Sequence, residues 1–293
     1  MYTTAHPFYV QTRSPLHAGS GSDLGVVDLP IQRERHTGHP KIEGASLKGA
    51  IREAFRHVEA LDDAQRDALF GPDPGPDEDT DLHAGAIGVT NARILLFPVK
   101  SLSGVYAWTT CPSVLERWRD ELRHAEEEAE WTVPRAERVT PRSDLVVGDG
   151  NVVLEEHTVE VKEDEAVDEL ALQLEQATGI EEVGPRLLVL SDDAFRDFAE
   201  MATEVITRTK INPDTGTVQK GQLFTEEYLP PESVMYFLGM ASALKNGEGG
   251  VFDFEDDDSR AAQVLQTFQD HLPGALQIGA NATTGKGLVT IQS

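Results

Sequence analysis

One cysteine, Cys111, stands among 293 residues. That excludes an internal disulfide framework and a zinc site built on cysteines. No apolar run nears the ~20 residues that cross a bilayer, so no membrane association is expected. The opening MYTTAHPFYVQTRSPL lacks the basic and apolar regions of a signal peptide, and a cytoplasmic setting is the expectation. Lysine is scarce too, at 8 of the 25 basic residues, against 51 acids.

What is abundant is acid. The net charge is −26, and it runs from DPGPDEDTD near residue 77 through EEEAE at 126–130 to FEDDD at 254–258. A polyanion repels nucleic acid, whose binding depends on cations displacing counterions. Acid spread this widely with little lysine is a halophilic habit, in which net charge keeps the chain soluble. Positive charge persists in three segments. Residues 31–56 are net +3, residues 205–223 net +2 and residues 276–293 net +1. With that +6 set aside, the remaining chain carries −32. Each exception is also rich in glycine or turn residues.

The organisation is mixed. HPFYVQTRSPLHA reads as a strand and Gly19–Ser22 as a loop. From Ser46, Leu47, Ile51, Ala54, Phe55 and Val58 recur at helical steps and define one buried face. Residues 71–81 read as a Pro/Gly/acid linker, 86–99 as one or two buried strands, and 111–130 as one helix. Residues 131–185, polar and weakly periodic, read as an insertion rather than core. Residues 187–211 read as strand, helix and strand, with Ser191 or Asp192 capping the helix. A hairpin follows, turning at Asn212–Gly216, and then a last helix near 258–271. Strands and helices interleaved with long insertions indicate an α+β core.

Three segments carry candidate chemistry. In residues 17–56, glycines allow close backbone approach and a Gly-Ala-Ser turn offers free amides to phosphate. Lys48, Arg52 and Arg56 follow at four-residue spacing and share one helix face beside Ser46. Asp28, in GVVD, is a carboxylate among cations, suited to act as a base on a ribose hydroxyl or to hold a divalent ion. An Asx turn accounts for it equally well. His17 is a candidate proton donor, although a lone histidine is more often structural. In LFTEEYLPPE (223–232), strand alternation puts Glu226 and Tyr228 on one face and Glu227 on the other. An edge strand with solvated acids explains that segment as simply. IGANATTGKGLV (278–289) is not a nucleotide-triphosphate loop, because Ala280 stands where the motif needs Gly and Gly287 where it needs Ser or Thr. Its amides and Lys286 still suit a phosphate.

Taken together, PLHAGSGSDLGVVDLPIQRERHTGHPKIEGASLKGAIR, RILLFPVKSLSGVYAWTTCPSVLERW, VLSDDAFRDFAEMATEVITR, LFTEEYLPPE and LQIGANATTGKG resemble the successive blocks of one family. It is the fourth-subunit family of the type III-B CRISPR Cmr module, within the RAMP superfamily. The resemblance implies a single RAMP domain over 1–293, with a ferredoxin-like, RNA-recognition-type core and finger and thumb insertions. These would be the linker at 71–85, an acidic insertion at 120–185 and a thumb-like hairpin at 209–222. It implies a backbone subunit that self-associates as a filament on guide RNA beside other Cmr subunits. Target single-stranded RNA would be cut at regular intervals with a divalent cation, Mg2+ or Mn2+. Asp28 falls on the family's cleaving carboxylate, which is also a metal ligand candidate. His17, Glu226 and Tyr228 fall on supporting positions. Guide contacts carry over to Ser46, Lys48, Arg52 and Arg56, to Lys210 and Lys220 of the hairpin, and to Gly279, Asn281, Gly285, Lys286 and Gly287. The alternatives are a guide-binding backbone that does not cut and a stand-alone precursor-processing ribonuclease.

The charge itself yields a test. Self-repulsion at −26 is screened when the Debye length is ~3 Å at 1 M salt and much less at ~10 Å in 0.1 M. The melting temperature should therefore rise from dilute buffer to molar KCl, and a flat or falling trend would refute salt adaptation.

Overall fold

Phe8 and Val10 alternate with Tyr9 and Gln11 along the first strand, and that alternation decides which face the helices cover. The computed structural model describes residues 2–73, 82–243 and 256–293. Most of the linker expected at 71–85 lies outside the described residues. The first half of the chain runs β1 (Thr4–Thr12), β2 (Lys41–Ile42), α1 (Gly44–Phe55), α2 (Asp63–Phe70), β3 (Ile87–Val89), β4 (Ala92–Lys100), β5 (Tyr106–Thr110) and α3 (Pro112–His124). Next come β6 (Arg138–Val139), β7 (Asn151–Leu154), β8 (His157–Glu160), β9 (Lys162–Glu163) and α4 (Glu165–Thr178). The last stretch holds β10 (Leu187–Val189), α5 (Asp192–Met201), β11 (Glu204–Ile211), β12 (Val218–Tyr228), β13 (Val234–Ala241), α6 (Asp257–His271), β14 (Ala275–Gln277) and β15 (Leu288–Gln292).

The units β1-α1-β4 and β13-α6-β15 interleave in the strand order β15-β1-β13-β4, with every neighbouring pair antiparallel. This is the 4-1-3-2 order of a ferredoxin-like core, as expected. Both helices share one face of it. Phe8 stacks on Phe237 at 5.1 Å, Phe268 of α6 meets Phe8 edge-on at 5.4 Å, and Phe55 of α1 stacks on Phe268 at 5.5 Å. Four rings from two strands and two helices thus form one apolar centre. From β4 the same sheet continues through β5, β10, β6 and β9.

Three expectations are corrected. Residues 131–185 are not set apart from the core. Within them α4 buries Val167, Leu170, Ala171 and Leu174 completely, and β6 and β9 join the main sheet. Only β7 and β8 pair with each other alone. The apolar residues sit at i, i+3, i+4 and i+7, a helical face that dense flanking acid obscures. Asp164 caps this helix by accepting from Ala166 N–H at 3.0 Å. The helix expected over 111–130 stops at His124. Glu126 adopts φ 60°, and the chain returns so that Trp131 packs on Trp118 at 5.2 Å. The strand expected over residues 6–18 ends at Thr12. The other expected elements among the described residues hold, with Ser191 accepting from Ala194 N–H to cap α5. Among the described residues no helix is long and apolar enough to cross a membrane.

Buried His39 meets Phe195 edge-on at 5.1 Å. Burial, reinforced by the Arg117 charge, lowers its pKa from 6.5 to about 4. An unfolded chain takes up a proton near 6.5, where the folded chain does not. The stability contributed by neutral His39 is therefore complete above that value and is lost as pH falls toward about 4. His39→Phe removes the uptake site. Its melting temperature should gain on the parent's as the pH is lowered across that window, and a constant gap would refute the assignment.

Candidate functional site

Four consecutive residues at the end of β12 organise the site. There β11 takes one edge of the strand and the 16–29 segment takes the other: Leu29 bridges Glu226 in parallel, and Leu16 bridges Leu229 antiparallel just beyond the strand's end. Leu29 N–H donates to the Thr225 carbonyl at 3.0 Å, and Glu227 N–H donates to the Leu29 carbonyl at 3.0 Å. The glycine-rich loop of residues 17–33 is thereby stitched to the hairpin strand.

Asp28 comes first. It is exposed, and its Oδ2 accepts from Thr225 N–H at 2.8 Å and from Thr225 Oγ1 at 2.9 Å. Asp28 N–H donates back to Thr225 Oγ1 at 3.0 Å. The backbone bond first, and the hydroxyl bond second, hold the carboxyl below the usual aspartate range. Asp28 is therefore an exposed anion held through Oδ2.

The alternation expected at Glu226–Tyr228 holds, and the solvated-edge reading does not. Glu226 and Glu227 are 6% and 5% exposed. Tyr228 O–H donates to Glu226 Oε2 at 2.5 Å. Arg208 of β11 contacts the same carboxylate and donates to Tyr228 Oη at 2.6 Å. Burial, and then the bond to Glu226, raises the Tyr228 pKa. Asn281 donates to Tyr228 Oη at 3.1 Å, and Lys286 Nζ lies 5.0 Å from the Tyr228 ring centroid. On the opposite face, Glu227 accepts from Arg33, from Thr203 Oγ1 at 2.8 Å and from Ile31 N–H at 3.0 Å.

His17 is buried and donates through Nδ1 to the Glu227 carbonyl at 2.7 Å. A carbonyl only accepts, so a proton sits on Nδ1, and Nε2 lies toward Gly19. The loop at 278–287 closes the site from the other side. Gly279 (φ +82°) comes so near His17 that a Cβ would lie 2.4 Å from its carbonyl, and a Cβ on Gly287 (φ +76°) would lie 2.0 Å from the Ile278 carbonyl. Only glycine allows either approach. His17, Gly19, Gly21, Ser46 and Gly279 line one groove of about 400 Å3, so three segments distant in sequence meet there. Gly285 (φ +75°) forms the turn of the same loop.

The basic stripe is placed differently. Helix α1 starts at Gly44, whose N–H is taken by Asn91 Oδ1 at 2.8 Å. Lys48 is half-buried, donates to the Ile87 carbonyl at 2.7 Å, and has its pKa lowered by that burial. Arg52 donates to the Gly71 carbonyl at 2.8 Å, and both Arg52 and Arg56 pair with Asp73, at 2.9 and 2.6 Å. Each cation already has a partner in its own chain. The hairpin is longer than expected, spanning β11 and β12, and turns at 212–217 as anticipated. Lys210 is exposed on β11; Lys220 belongs to β12, and its side chain lies outside the described residues. Thr225, Arg33 and Thr203 were not candidates from the sequence. Their partners lie 24 to 197 residues away, and no local pattern marks them.

A ferredoxin-like core carrying a long hairpin and a glycine-rich loop against one strand matches the RAMP superfamily, whose family model covers residues 9–290. The chain belongs to that superfamily. Within it, the chain is 38% identical over 286 residues to the CRISPR system Cmr endoribonuclease Cmr4 of Pyrococcus furiosus, covering 96% of this chain and 92% of that protein. The crystal structure of oligomeric Cmr4 from Pyrococcus furiosus, 30% identical, matches with a TM-score of 0.75 over 99% of this chain and 97% of that one. A type III-B Cmr-beta complex bound to cognate target RNA, solved by cryo-EM, contains a chain of the same fold, at 20% identity and a TM-score of 0.74. The resemblance read from the sequence is borne out.

Glu227→Ala would leave the Arg33 guanidinium, Thr203 and the Ile31 amide without their acceptor. A buried charge stripped of its partner costs roughly 3 kcal/mol. The denaturant midpoint should fall accordingly, and an unchanged midpoint would show that this junction carries no stability.

Proposed function

We propose that this chain is a backbone subunit of a type III-B CRISPR effector, working in the cytoplasm. Copies stack as a filament along guide RNA beside other Cmr subunits, and each cuts the complementary target RNA once, which spaces the cuts regularly. The observation that carries this reading is Asp28: an exposed, ionised carboxylate clamped through one oxygen. The endoribonuclease name of a relative that is 38% identical supports it.

The chemistry follows from that charge. A carboxylate held below the usual range is a poor proton acceptor near neutrality. Asp28 therefore orients the attacking 2′-hydroxyl by accepting its hydrogen bond, or anchors a divalent cation. The residues fit a cation held by one protein oxygen, with water and phosphate supplying the rest, which is how Mg2+ is commonly bound. They do not fit a cage, because among the described residues no three acidic, histidine or cysteine side chains are placed to hold a metal ion together. Such a cation would neutralise charge on the phosphate. His17 Nε2 supports from the groove side, while Glu226 and Tyr228 act by holding the hairpin and glycine loop in register. Guide phosphates would meet Ser46 and the Lys286 ammonium, because the amides of Ala280, Gly285, Lys286 and Gly287 already donate to carbonyls of the chain and do not offer the phosphate cradle expected from the sequence. At Lys48, Arg52 and Arg56, RNA would have to replace partners within the chain.

Asp28→Asn retains an oxygen that can accept from Thr225 but has no charge. In reconstituted complexes it should lower target cleavage by about 10²-fold or more, with guide binding and assembly intact. Regularly spaced products at the parental rate would place the cutting group elsewhere and leave the chain a structural backbone.

A further inference from the structure

We propose that Thr225 is the positioning residue that aims Asp28, a role resting on the reading of Asp28 as the cutting carboxylate. Asp28 occupies an exposed loop whose neighbours Leu24 and Val26 are fully solvent-accessible, so packing does not hold it. An unrestrained aspartate at such a position samples several side-chain rotamers. Thr225 removes that freedom with three hydrogen bonds. Its N–H and its hydroxyl both donate to Oδ2, at 2.8 and 2.9 Å, and its hydroxyl oxygen accepts from Asp28 N–H at 3.0 Å. Two donors on one carboxylate oxygen fix the rotation of the group, and Oδ1 is left as the oxygen directed away from Thr225.

The hydroxyl is donor and acceptor at once, which narrows the residue types that can serve. Serine keeps both functions. Valine keeps the shape, the branching and the backbone bond, and loses both side-chain bonds. The clamp also binds the site to the hairpin. Thr225 lies on β12 one residue before Glu226, whose carboxylate is held by Arg208, Tyr228 and Asn281. The orientation of Asp28 is thus referenced to the base of the hairpin and not to its own loop.

The test compares Thr225→Val, Thr225→Ser and Asp28→Asn in reconstituted complexes with guide RNA. At saturating target, Thr225→Val should lower kcat by about 10- to 100-fold, the scale of a misplaced reacting group. KM for target, guide affinity and melting temperature should stay at parental values, and Thr225→Ser should restore kcat to within a few-fold. A second readout needs no activity: hydrogen exchange at the Asp28 amide should quicken in Thr225→Val and not in Thr225→Ser. Parental kcat with unchanged exchange overturns the clamp. Loss of guide binding alongside kcat also overturns it, because Thr225 would then hold the strand and not the carboxylate. Should Asp28→Asn cut normally, the cleavage reading fails on its own, and the exchange measurement still decides whether the clamp exists.

Discussion

Two adjacent glutamates buried on opposite faces of one strand govern this architecture. Glu226 and Glu227 are withdrawn from water, and a buried carboxylate is tolerable only when cations and donors surround it. Because strand residues alternate, one set of partners must come from each side. Arg208 and Asn281 gather around Glu226; Arg33, Thr203 and the Ile31 amide gather around Glu227. Satisfying both requires the glycine loop and the 17–33 loop to converge on β12, and that convergence creates the groove and presents Asp28. The same satisfaction explains why Gly279 and Gly287 are needed, since the loop must come close enough for Asn281 to reach the pair.

The scarcity of lysine takes on a second meaning in this light. Arginine, with its planar fork, suits paired and partly buried sites better than the compact lysine ammonium. Arg33 and Arg208 serve the two glutamates, and Arg117 donates to both oxygens of buried Glu34, at 3.0 and 2.9 Å. Several cations in the net-positive segments are therefore engaged within the fold. Lys48, Arg52 and Arg56 belong to the same pattern. In so acidic a chain, internal neutralisation and RNA binding draw on the same few positive groups.

Much of the fold was legible because it rests on short-range periodicity. Leu47, Ile51 and Phe55 announce α1, Phe8 and Val10 announce β1, and Asn212 with Gly216 announces the hairpin turn. The buried stripe of α4 is periodic too, yet the acids crowded at its start, Glu163, Asp164, Glu165, Asp168 and Glu169, hid Val167, Leu170 and Leu174. The premature end of α3 at His124 could not be read at all, since the left-handed Glu126 that turns the chain back goes with the packing of Trp131 on Trp118.

By itself the sequence determined the class of the core, the family, the alternation of Glu226 and Tyr228 against Glu227, and the segments that meet at the site. These follow from local pattern and from motif. Tertiary structure alone decided which groups are free. Whether Lys48 faces solvent or the Ile87 carbonyl, and whether Asp28 swings or is clamped, depends on partners 39 and 197 residues away. Hydrogen bonds and ion pairs act over a few ångströms in space, whatever the separation along the chain, and only the completed sheet brings Thr225 to Asp28.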